Sequence, residues 1–411
     1  MSRNNCLRRK FLLLVLPLAS AVRDETKTAK AATASQQGFR DFLRPLGKTL
    51  CNSTDCLLYM RGVKAQTMEE KQKEGDSPGL LDDPRLAWKS LNGNKAVSED
   101  DYIIVKSSDN NFQFYGVFDG HGGAGASEFV QQALTKKLLT AIAKDKTAFL
   151  DLQEGARKEF FEKQFEEVQN DLLKKDVEKA GTTATVAIIL EGRLFLAWVG
   201  DSVAALLRGS QTLHSTPEHT CEPGPDNPLS DEIERNEHIT IEYHAMGSYC
   251  KDKASGEMVQ MSRDFGEAYI HAIPEVAEWR QFQRHDMLLL GTDGFWDYPE
   301  IALRHGLAKD NDKPNFVAYG KKKFFDVVRN KATNFKPEYW VYDKNHELKQ
   351  IHLENNPEFA QLISMKQQEL VNSQIAKVGN ISFVEDLVQK ARKAWKAENH
   401  IDDITLIAVE L

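Results

Sequence analysis

The segment FYGVFDGHGG, residues 114–123, is an apolar run that ends in an aspartate and a glycine-rich turn. Aromatic and β-branched residues are enriched in β-strands, and glycine permits the sharp backbone turn that follows. Residues 102–105 have the same strand character, and a polar turn at residues 107–111 separates the two runs. The pattern therefore predicts a β-hairpin whose second strand leads into Asp119.

Other apolar runs stand next to aspartates in the same way. They are FLAWVGDS at residues 195–202, LLLGTDG at residues 288–294 and, with the aspartates first, DDITLIAV at residues 402–409. A single aspartate at a strand end is ordinary, because it often caps a helix or holds a turn. Four such positions in one core are harder to explain in that way, although the sequence does not show that the strands are neighbours.

Carboxylates that meet in a low dielectric repel each other strongly. If the four strand ends converge, either one carboxyl group holds a proton or a cation lies among them. Sites built only from oxygen atoms suit Mg²⁺, Mn²⁺ and Ca²⁺ rather than zinc. The sequence therefore predicts a site for a hard divalent cation, on the condition that the strands are adjacent.

Strand pairs joined by tight turns alternate with helical patterns along the chain. Residues 183–190 and 194–199 form a second hairpin pattern, and short apolar runs at residues 287–290 and 404–409 are typical of strands buried on both faces. Residues 127–143 place apolar side chains at helical spacing. This order favours an α+β fold of antiparallel sheets covered by helices over a doubly wound parallel sheet.

Composition excludes some classes of partner and of scaffold. The chain has 411 residues, 41% of them apolar, and a net charge of −8, which argues against nucleic acid as a partner. Its five cysteines are too few and too scattered for a disulfide framework. Cys221 and Cys250 are predicted to be thiols, with a disulfide as the alternative if the chain is exported.

The N-terminal residues have the plan of a secretory signal peptide. Basic residues precede an apolar run at residues 11–19, which is followed by Ser20 and Ala21. The run is shorter than the roughly 20 residues that a membrane-spanning helix needs. Residues 1–21 are therefore predicted to be cleaved, leaving no stable membrane span and a protein that is secreted or held in a secretory organelle. The alternative is an uncleaved segment on a cytoplasmic or membrane-tethered protein.

Residues 22–85 are predicted to be a weakly ordered leader.

Six motifs resemble, in their order along the chain, the metal-dependent protein serine/threonine phosphatases of the protein phosphatase 2C family. They are YGVFDGHGG (115–123), GTTA (181–184), VGDS (199–202), MSRDFG (261–266), TDGFWD (292–297) and DDIT (402–405). The resemblance implies a phosphatase domain at residues 86–411 with two antiparallel β-sheets packed face to face and covered by helices, a four-layer αββα sandwich. It also implies a flap at about residues 217–261 and an insertion at about residues 309–361.

The resemblance further implies a binuclear Mg²⁺ or Mn²⁺ centre with a weaker third ion. Its ligand set is Glu99, Asp119, the backbone carbonyl of Gly120, Asp201, Asp293 and Asp402. In this assignment Asp119 bridges two ions, and Asp293 and Asp402 complete the site of the second. Glu99 reaches the first ion, and Asp201 helps Asp293 to hold the third.

Two further roles and two departures follow from the same resemblance. His121 occupies the position of the general acid. Lys95 stands where the family usually has an arginine that grips the substrate phosphate, and a lysine keeps the charge without the bidentate fork. Glu267 replaces the aspartate that usually follows the Phe-Gly pair at residues 265–266.

The leading hypothesis is a phosphatase that hydrolyses phosphoserine and phosphothreonine in proteins with metal-activated water. The first alternative is a catalytically weak pseudophosphatase that acts as a binding scaffold, which only the substitution at Lys95 favours. The second is a two-metal hydrolase of small phosphoesters or nucleic acid. The sequence makes no prediction of the oligomeric state.

Overall fold

The computed structural model describes residues 38–50, 57–61, 83–95, 97–175, 180–209, 211–221, 237–244, 247–297, 338–342, 348–352, 383–397 and 401–411. The chain divides into two compact units, Met1–Leu43 and Arg44–Leu411. A helix, α1, spans residues 38–50. The predicted signal peptide lies outside the described residues and stays a prediction. Among the described residues, no helix has the length and apolarity needed to cross a membrane.

The first large sheet has six antiparallel strands. In spatial order they are β1 (Leu57–Arg61), β3 (Asp101–Ser107), β4 (Phe112–Phe118), β7 (Ala184–Leu190), β8 (Arg193–Val199) and β14 (Glu275–Trp279). Both predicted hairpins are present, as β3–β4 and β7–β8. Tight turns join the strands of each pair, so the chain folds back on itself at once.

The second large sheet has five antiparallel strands. In spatial order they are β10 (Gln211–Ser215), β9 (Val203–Arg208), β15 (Met287–Gly291), β18 (Ile404–Glu410) and β2 (Leu86–Leu91). The runs that the sequence marks as buried on both faces are β15 and β18, and β18 lies between β15 and β2. A strand in that position has a packed layer on each side, which accounts for its continuous apolar sequence.

The two large sheets pack face to face. One apolar cluster joins side chains of both: Ile104, Tyr115 and Leu196 come from the first sheet, and Leu206 and Leu288 from the second. All five are fully buried. Removing such side chains from water stabilises the fold by roughly 25 cal/mol per Å² of apolar surface.

Helices cover the outer faces. On the first sheet, α2 (Gly125–Lys144) contacts β3 and β4, α3 (Lys146–Asp151) follows it, and α4 (Glu154–Leu172) contacts α2 and β14. On the second sheet, a long helix, α6 (Phe383–Ala397), packs Leu387, Ala391 and Trp395 against Leu289 and Leu406. A four-residue helix, α5 (Asp293–Trp296), follows β15. The predicted four-layer αββα sandwich is confirmed.

Three small sheets complete the described structure. They are β5 (Gly120–His121) with β6 (Gly181–Thr182), β11 (Ile239–His244) with β12 (Gly247–Asp252) and β13 (Met258–Val259), and β16 (Glu338–Tyr342) with β17 (Leu348–His352). The second of these lies in the predicted flap, and the third in the predicted insertion. The other residues of the insertion lie outside the described part of the chain.

One strand of the first sheet lies before residue 86, the predicted start of the phosphatase domain. Strand β1 lies in the predicted leader, yet it pairs along its whole length with β3 and forms an edge of the first sheet. Without β1, the backbone N–H and C=O groups along that edge of β3 would have no strand partner. The first sheet therefore extends into the segment that the sequence predicted to be weakly ordered.

The prediction of free thiols at Cys221 and Cys250 is wrong, and the alternative is right. The two cysteines form a disulfide, with Cα atoms 5.5 Å apart. Backbone pairing brings them together: Cys250 lies opposite Val259 of β13, and the N–H of Cys221 donates to the carbonyl of Gln260 at 2.9 Å. Both sulfur-bearing side chains are fully buried.

We expect Cys250→Ser to lower the free energy of unfolding by about 2–4 kcal/mol, because the unfolded chain regains the freedom that the cross-link removes. Urea unfolding of the oxidised wild type and of the variant measures the difference. Wild type treated with dithiothreitol should match the variant. Equal stabilities of the oxidised and reduced wild type would contradict the disulfide.

Candidate metal centre

Strand directions bring the four predicted aspartates to one edge of the sandwich. Strands β4 and β8 flank β7 and are both antiparallel to it, so their C-terminal ends, which lead into Asp119 and Asp201, lie at the same edge of the first sheet. In the second sheet Gly291 of β15 lies opposite Leu406 of β18. The end of β15, before Asp293, is therefore beside the start of β18, after Asp402.

The four aspartates share one electrostatic environment, here called the aspartate pocket (Asp119, Asp201, Asp293 and Asp402). Burial and repulsion from Asp293 raise the pKa of Asp119 well above its usual value. Burial, with repulsion from Asp201, raises the pKa of Asp293 to about 6. Burial, with repulsion from Glu218, raises the pKa of Asp201 to about 7, and Asp402 adds to that effect. The structure therefore brings together the side chains that the sequence places far apart.

The carboxyl groups of Asp119 and Asp293 are in hydrogen-bond contact, which requires a proton or a cation between them. Oδ2 of Asp119 is buried and has no hydrogen-bond partner. A buried polar atom without a partner is costly, and a divalent cation would satisfy it. The donor set contains only oxygen atoms, so the pocket fits Mg²⁺ or Mn²⁺. In the described part of the chain, no three of these aspartates place one carboxylate oxygen each within 4.8 Å of the other two.

The GTTA motif holds the backbone of Asp119. The N–H of Asp119 donates to Oγ1 of Thr183 at 3.0 Å, and its carbonyl accepts from the N–H of Thr183 at 2.8 Å and from Oγ1 of Thr182 at 2.9 Å. Thr183 Oγ1 also lies 2.8 Å from Oγ of Ser202, which follows Asp201. The GTTA motif therefore holds the backbone of Asp119 and joins it to Ser202, the residue after Asp201.

Gly120 lies where no other residue fits. A Cβ atom at this position would be 2.5 Å from the backbone oxygen of Glu99 and 3.0 Å from Oγ of Ser127. The backbone of Gly120 therefore passes directly beside the loop that carries Glu99. This close approach accounts for the glycine that follows Asp119.

Lys95 and Glu99 lie together at the rim of the aspartate pocket. Nζ of Lys95 donates to the Glu99 carboxylate, and the lysine side chain is 44% exposed. Although burial opposes it, this ion pair raises the pKa of Lys95, and Asp402 contributes in the same direction. The predicted phosphate-binding residue thus adjoins the predicted metal ligands, and here it is paired with one of them.

His121 lies beside the aspartate pocket on β5, and its side chain is 30% exposed. Its Nε2 is 2.7 Å from Oδ2 of Asp264. Asp201 interacts with the ring electrostatically. The predicted general acid is therefore adjacent to the predicted ligands, with one ring nitrogen engaged by a buried carboxyl group.

Two carboxyl groups of the site were missed by the sequence. The carboxylate of Asp403 accepts the N–H of Gly93 at 2.6 Å and of Glu99 at 2.7 Å, so it ties the loop bearing Lys95 to the start of β18. Asp100 is buried, accepts from Oγ1 of Thr292 at 2.9 Å and repels Asp119. Asp100 directly follows Glu99 and Asp403 directly follows Asp402, and this adjacency to predicted ligands is the sequence signal that could have identified them.

Without metal, stability should depend on pH through Asp201. Its pKa is about 7 in the folded protein and about 4 in an unfolded chain. A raised pKa of an acid favours folding below the unfolded value, and that contribution is lost as the pH rises through the folded one. We expect the chelator-treated protein to lose about 2–4 kcal/mol between pH 4 and pH 7 through this group. The Asp201→Asn variant should lose less; urea midpoints with the same pH slope in both proteins would contradict this.

The described residues form an αββα sandwich, and the aspartate pocket lies at the ends of strands from both of its large sheets. The family model described as "Protein phosphatase 2C" matches residues 85–318, and the chain belongs to that family.

Curated relatives match part of the chain. "Probable protein phosphatase 2C member 13, mitochondrial" of Oryza sativa subsp. japonica is 28% identical over 243 residues, which are 57% of this chain and 62% of the relative. "Probable protein phosphatase 2C 69" of Arabidopsis thaliana is 33% identical over 210 residues, 49% of this chain and 53% of the relative. The matched stretch thus spans less than two thirds of either relative.

A solved structure is similar at lower identity. The crystal structure of serine-threonine phosphatase 2C from Toxoplasma gondii covers 79% of this chain and 93% of its own at 18% identity, with a TM-score of 0.48.

Proposed function

We propose that the chain is a protein serine/threonine phosphatase that hydrolyses phosphoserine and phosphothreonine at a centre of two Mg²⁺ or Mn²⁺ ions, with a weaker third ion. The observation that carries this proposal is the aspartate pocket, in which carboxyl groups from four strand ends interact electrostatically and Oδ2 of Asp119 is buried without a hydrogen-bond partner. Such a set is hard to stabilise without a cation. Membership of the protein phosphatase 2C family supports the same reaction.

The residues that would hold the ions are those of the aspartate pocket, with Gly120 and Glu99. When bound, the ions supply a water of lowered pKa and neutralise the phosphoryl oxygens. Around them, Asp403 fixes the loop of Glu99 through two backbone N–H groups. Thr183 fixes Asp119. A ligand set that is already positioned loses little freedom on binding.

His121 would supply the proton of the leaving serine or threonine oxygen. Its Nε2 is engaged by Asp264, which leaves Nδ1 as the atom that donates. A carboxyl group on one ring nitrogen fixes the tautomer and the orientation of the ring. Histidine suits this role because its usual pKa lies near neutrality.

The test is a dephosphorylation assay on a phosphothreonine peptide with the purified chain. Chelation of divalent cations should abolish turnover, and added Mn²⁺ or Mg²⁺ should restore it. A pure, folded protein that shows no metal-dependent turnover would favour the alternative, a pseudophosphatase scaffold. The observation in favour of that alternative is the Lys95–Glu99 ion pair, which occupies two residues that the reaction would use.

Lys95 should act in substrate binding. We expect Lys95→Ala to raise KM for the phosphothreonine peptide about 10-fold, with a smaller effect on kcat, because one phosphate contact to a charged group contributes about 1.5–3 kcal/mol at most. Lys95→Arg should lower KM, since the guanidinium fork matches a phosphate group. Lys163→Ala, an exposed lysine on α4, is the control. An unchanged KM in both Lys95 variants would remove Lys95 from the site.

We also propose that the protein enters the secretory pathway. The support is the basic and apolar pattern of residues 1–21, together with the disulfide between Cys221 and Cys250. Disulfides persist in oxidising compartments and are rare in the cytosol. N-terminal sequencing of the mature protein from its native cells tests the proposal, and an intact Met1 would contradict it.

A further inference from the structure

A second group of metal-binding side chains lies beside the aspartate pocket. It consists of His121, Asp264 and Glu267 and is here called the histidine–carboxylate cluster. Nε2 of His121 lies 2.7 Å from Oδ2 of Asp264 and 3.5 Å from Oε1 of Glu267. One candidate ligand atom from each residue lies within 4.8 Å of the other two, and within the described part of the chain this is the group that meets that spacing.

Both carboxyl groups of the cluster are buried and incompletely satisfied. Asp264 is fully buried, and the side chain of Glu267 is 10% exposed. Oδ1 of Asp264 and Oε2 of Glu267 have no hydrogen-bond donor. The two groups contact each other, but two acceptors cannot satisfy one another without a proton or a cation between them. Among the described residues, His121 is their shared ion-pair partner.

The pKa values of Asp264 and Glu267 are both raised, as expected for two carboxyl groups buried close together. Burial, with repulsion from Asp201, raises the pKa of Asp264 to about 7. Burial and repulsion from Asp264 raise the pKa of Glu267 to about 10. A buried pair of like charges is expensive unless it is paired or coordinates a metal.

The backbone leaves room for the cluster and holds it in place. A Cβ atom at Gly181 would be 2.5 Å from Nε2 of His121 and 2.7 Å from Oε1 of Glu267, so only glycine admits both side chains. Gln169 of α4 donates through Nε2 to the carbonyl of Glu267 and accepts the N–H of Gly266, both at 3.0 Å. The three side chains are therefore anchored on β5 and on a segment fixed to α4.

We propose that the histidine–carboxylate cluster is a second cation site, which binds zinc or a similar transition-metal ion through Nε2 of His121 and one oxygen each of Asp264 and Glu267. Mixed nitrogen and oxygen ligands suit zinc, whereas the all-oxygen aspartate pocket suits Mg²⁺ or Mn²⁺. Three protein ligands leave a fourth position for water. The partly exposed ring of His121 gives the ion access.

Occupation of this site would inhibit the enzyme, a consequence that rests on the proposed function. A zinc ion on Nε2 binds the neutral imidazole ring of His121. The remaining Nδ1–H of that ring is a much weaker acid than an N–H group of the protonated imidazolium ring. The leaving oxygen would lose its proton donor. Zinc should therefore lower kcat without displacing Mg²⁺ or Mn²⁺ from the aspartate pocket.

Zinc binding is tested on the full chain in phosphate-free buffer with Mg²⁺ in large excess, so that Mg²⁺ fills the aspartate pocket. Competition with a chromophoric zinc chelator measures the affinity and the number of ions bound. Wild type should bind one zinc ion more than Glu267→Gln, with the affinity at that site reduced at least about 100-fold in the variant. Glu166→Gln makes the same chemical change at an exposed position of α4 and should bind as wild type does.

A second variant tests the zinc site independently, in case Glu267→Gln does not fold. His121→Gln changes a side chain at the rim and should also lose the extra ion. Equal zinc binding by wild type and both variants would overturn the proposed zinc site. The carboxyl groups of Asp264 and Glu267 would then share a proton instead of a metal ion.

Turnover separates this proposal from the proposed function. Zinc should inhibit wild type at concentrations that barely affect Glu267→Gln. A binding difference in a protein with no phosphatase activity would support the site and count against the proposed function. Inhibition that is the same in both proteins would overturn the proposal.

Discussion

The Asp119→Asn variant should have a kcat on a phosphothreonine peptide about 10³-fold below wild type in the presence of Mn²⁺, with its fold intact. Loss of one preorganised electrostatic group at the reacting centre typically costs about 10²–10³-fold. Asparagine keeps the size of the side chain and removes the charge, and Oδ2 of Asp119 is buried without a hydrogen-bond partner. Initial rates at saturating peptide measure the effect.

The same variant should have the opposite effect on stability. In the wild type, Asp293, Asp100 and Asp402 all repel Asp119. Removing one charge relieves that repulsion, so the chelator-treated variant should melt at a higher temperature than chelator-treated wild type. Asp151→Asn, at an exposed position of α3, is the control and should change neither property. Wild-type turnover by Asp119→Asn would show that the aspartate pocket does not carry the reaction.

The His121→Gln variant should lose about 10²-fold in kcat on the phosphothreonine peptide, with KM nearly unchanged, since proton transfer by one positioned side chain contributes about 10²–10⁴-fold. An alkyl leaving oxygen needs that proton, whereas the phenolate of p-nitrophenyl phosphate leaves without it. The loss on p-nitrophenyl phosphate should therefore be much smaller. The ratio of the two losses is the measurement.

A matched control exists for this variant. His271 is exposed in the segment before β14, and His271→Gln should retain wild-type rates on both substrates. Equal losses of His121→Gln on the peptide and on p-nitrophenyl phosphate would assign His121 to binding or structure and remove it as the general acid.

The elements that the sequence predicted well are those with a strong local pattern. Strands β4, β15 and β18 are nearly continuous apolar runs, and α2 repeats apolar residues at helical spacing. Strand β2, LAWKSL, was not recognised, because its four middle residues are only half-buried and its pattern is mixed. The sequence assigns β1 to the leader. Strand β1 covers the open edge of β3, and its own sequence gives no sign of that pairing, which becomes visible only when the whole sheet is known.

The residues of the site also divide into those that a local pattern predicts and those that only the folded structure brings into contact. Asp119, Asp201 and Asp293 were predicted because each follows an apolar run, and the structure places them in one pocket. The contact of Asp403 with Glu99 joins residues 304 positions apart, and that of His121 with Asp264 joins residues 143 positions apart. Such contacts depend on the packing of whole layers, and no local pattern encodes them.

The position of β18 between β15 and β2 has a consequence for the timing of activity during biosynthesis. Neither neighbour can complete its hydrogen bonds until residue 410 has left the ribosome, and Gly93 must wait for a partner 310 positions further along the chain. A nascent chain therefore carries Asp119 and His121 for hundreds of residues without the means to assemble them with Asp402. The order of the strands in the second sheet therefore delays assembly of the aspartate pocket until the last strand has been synthesised.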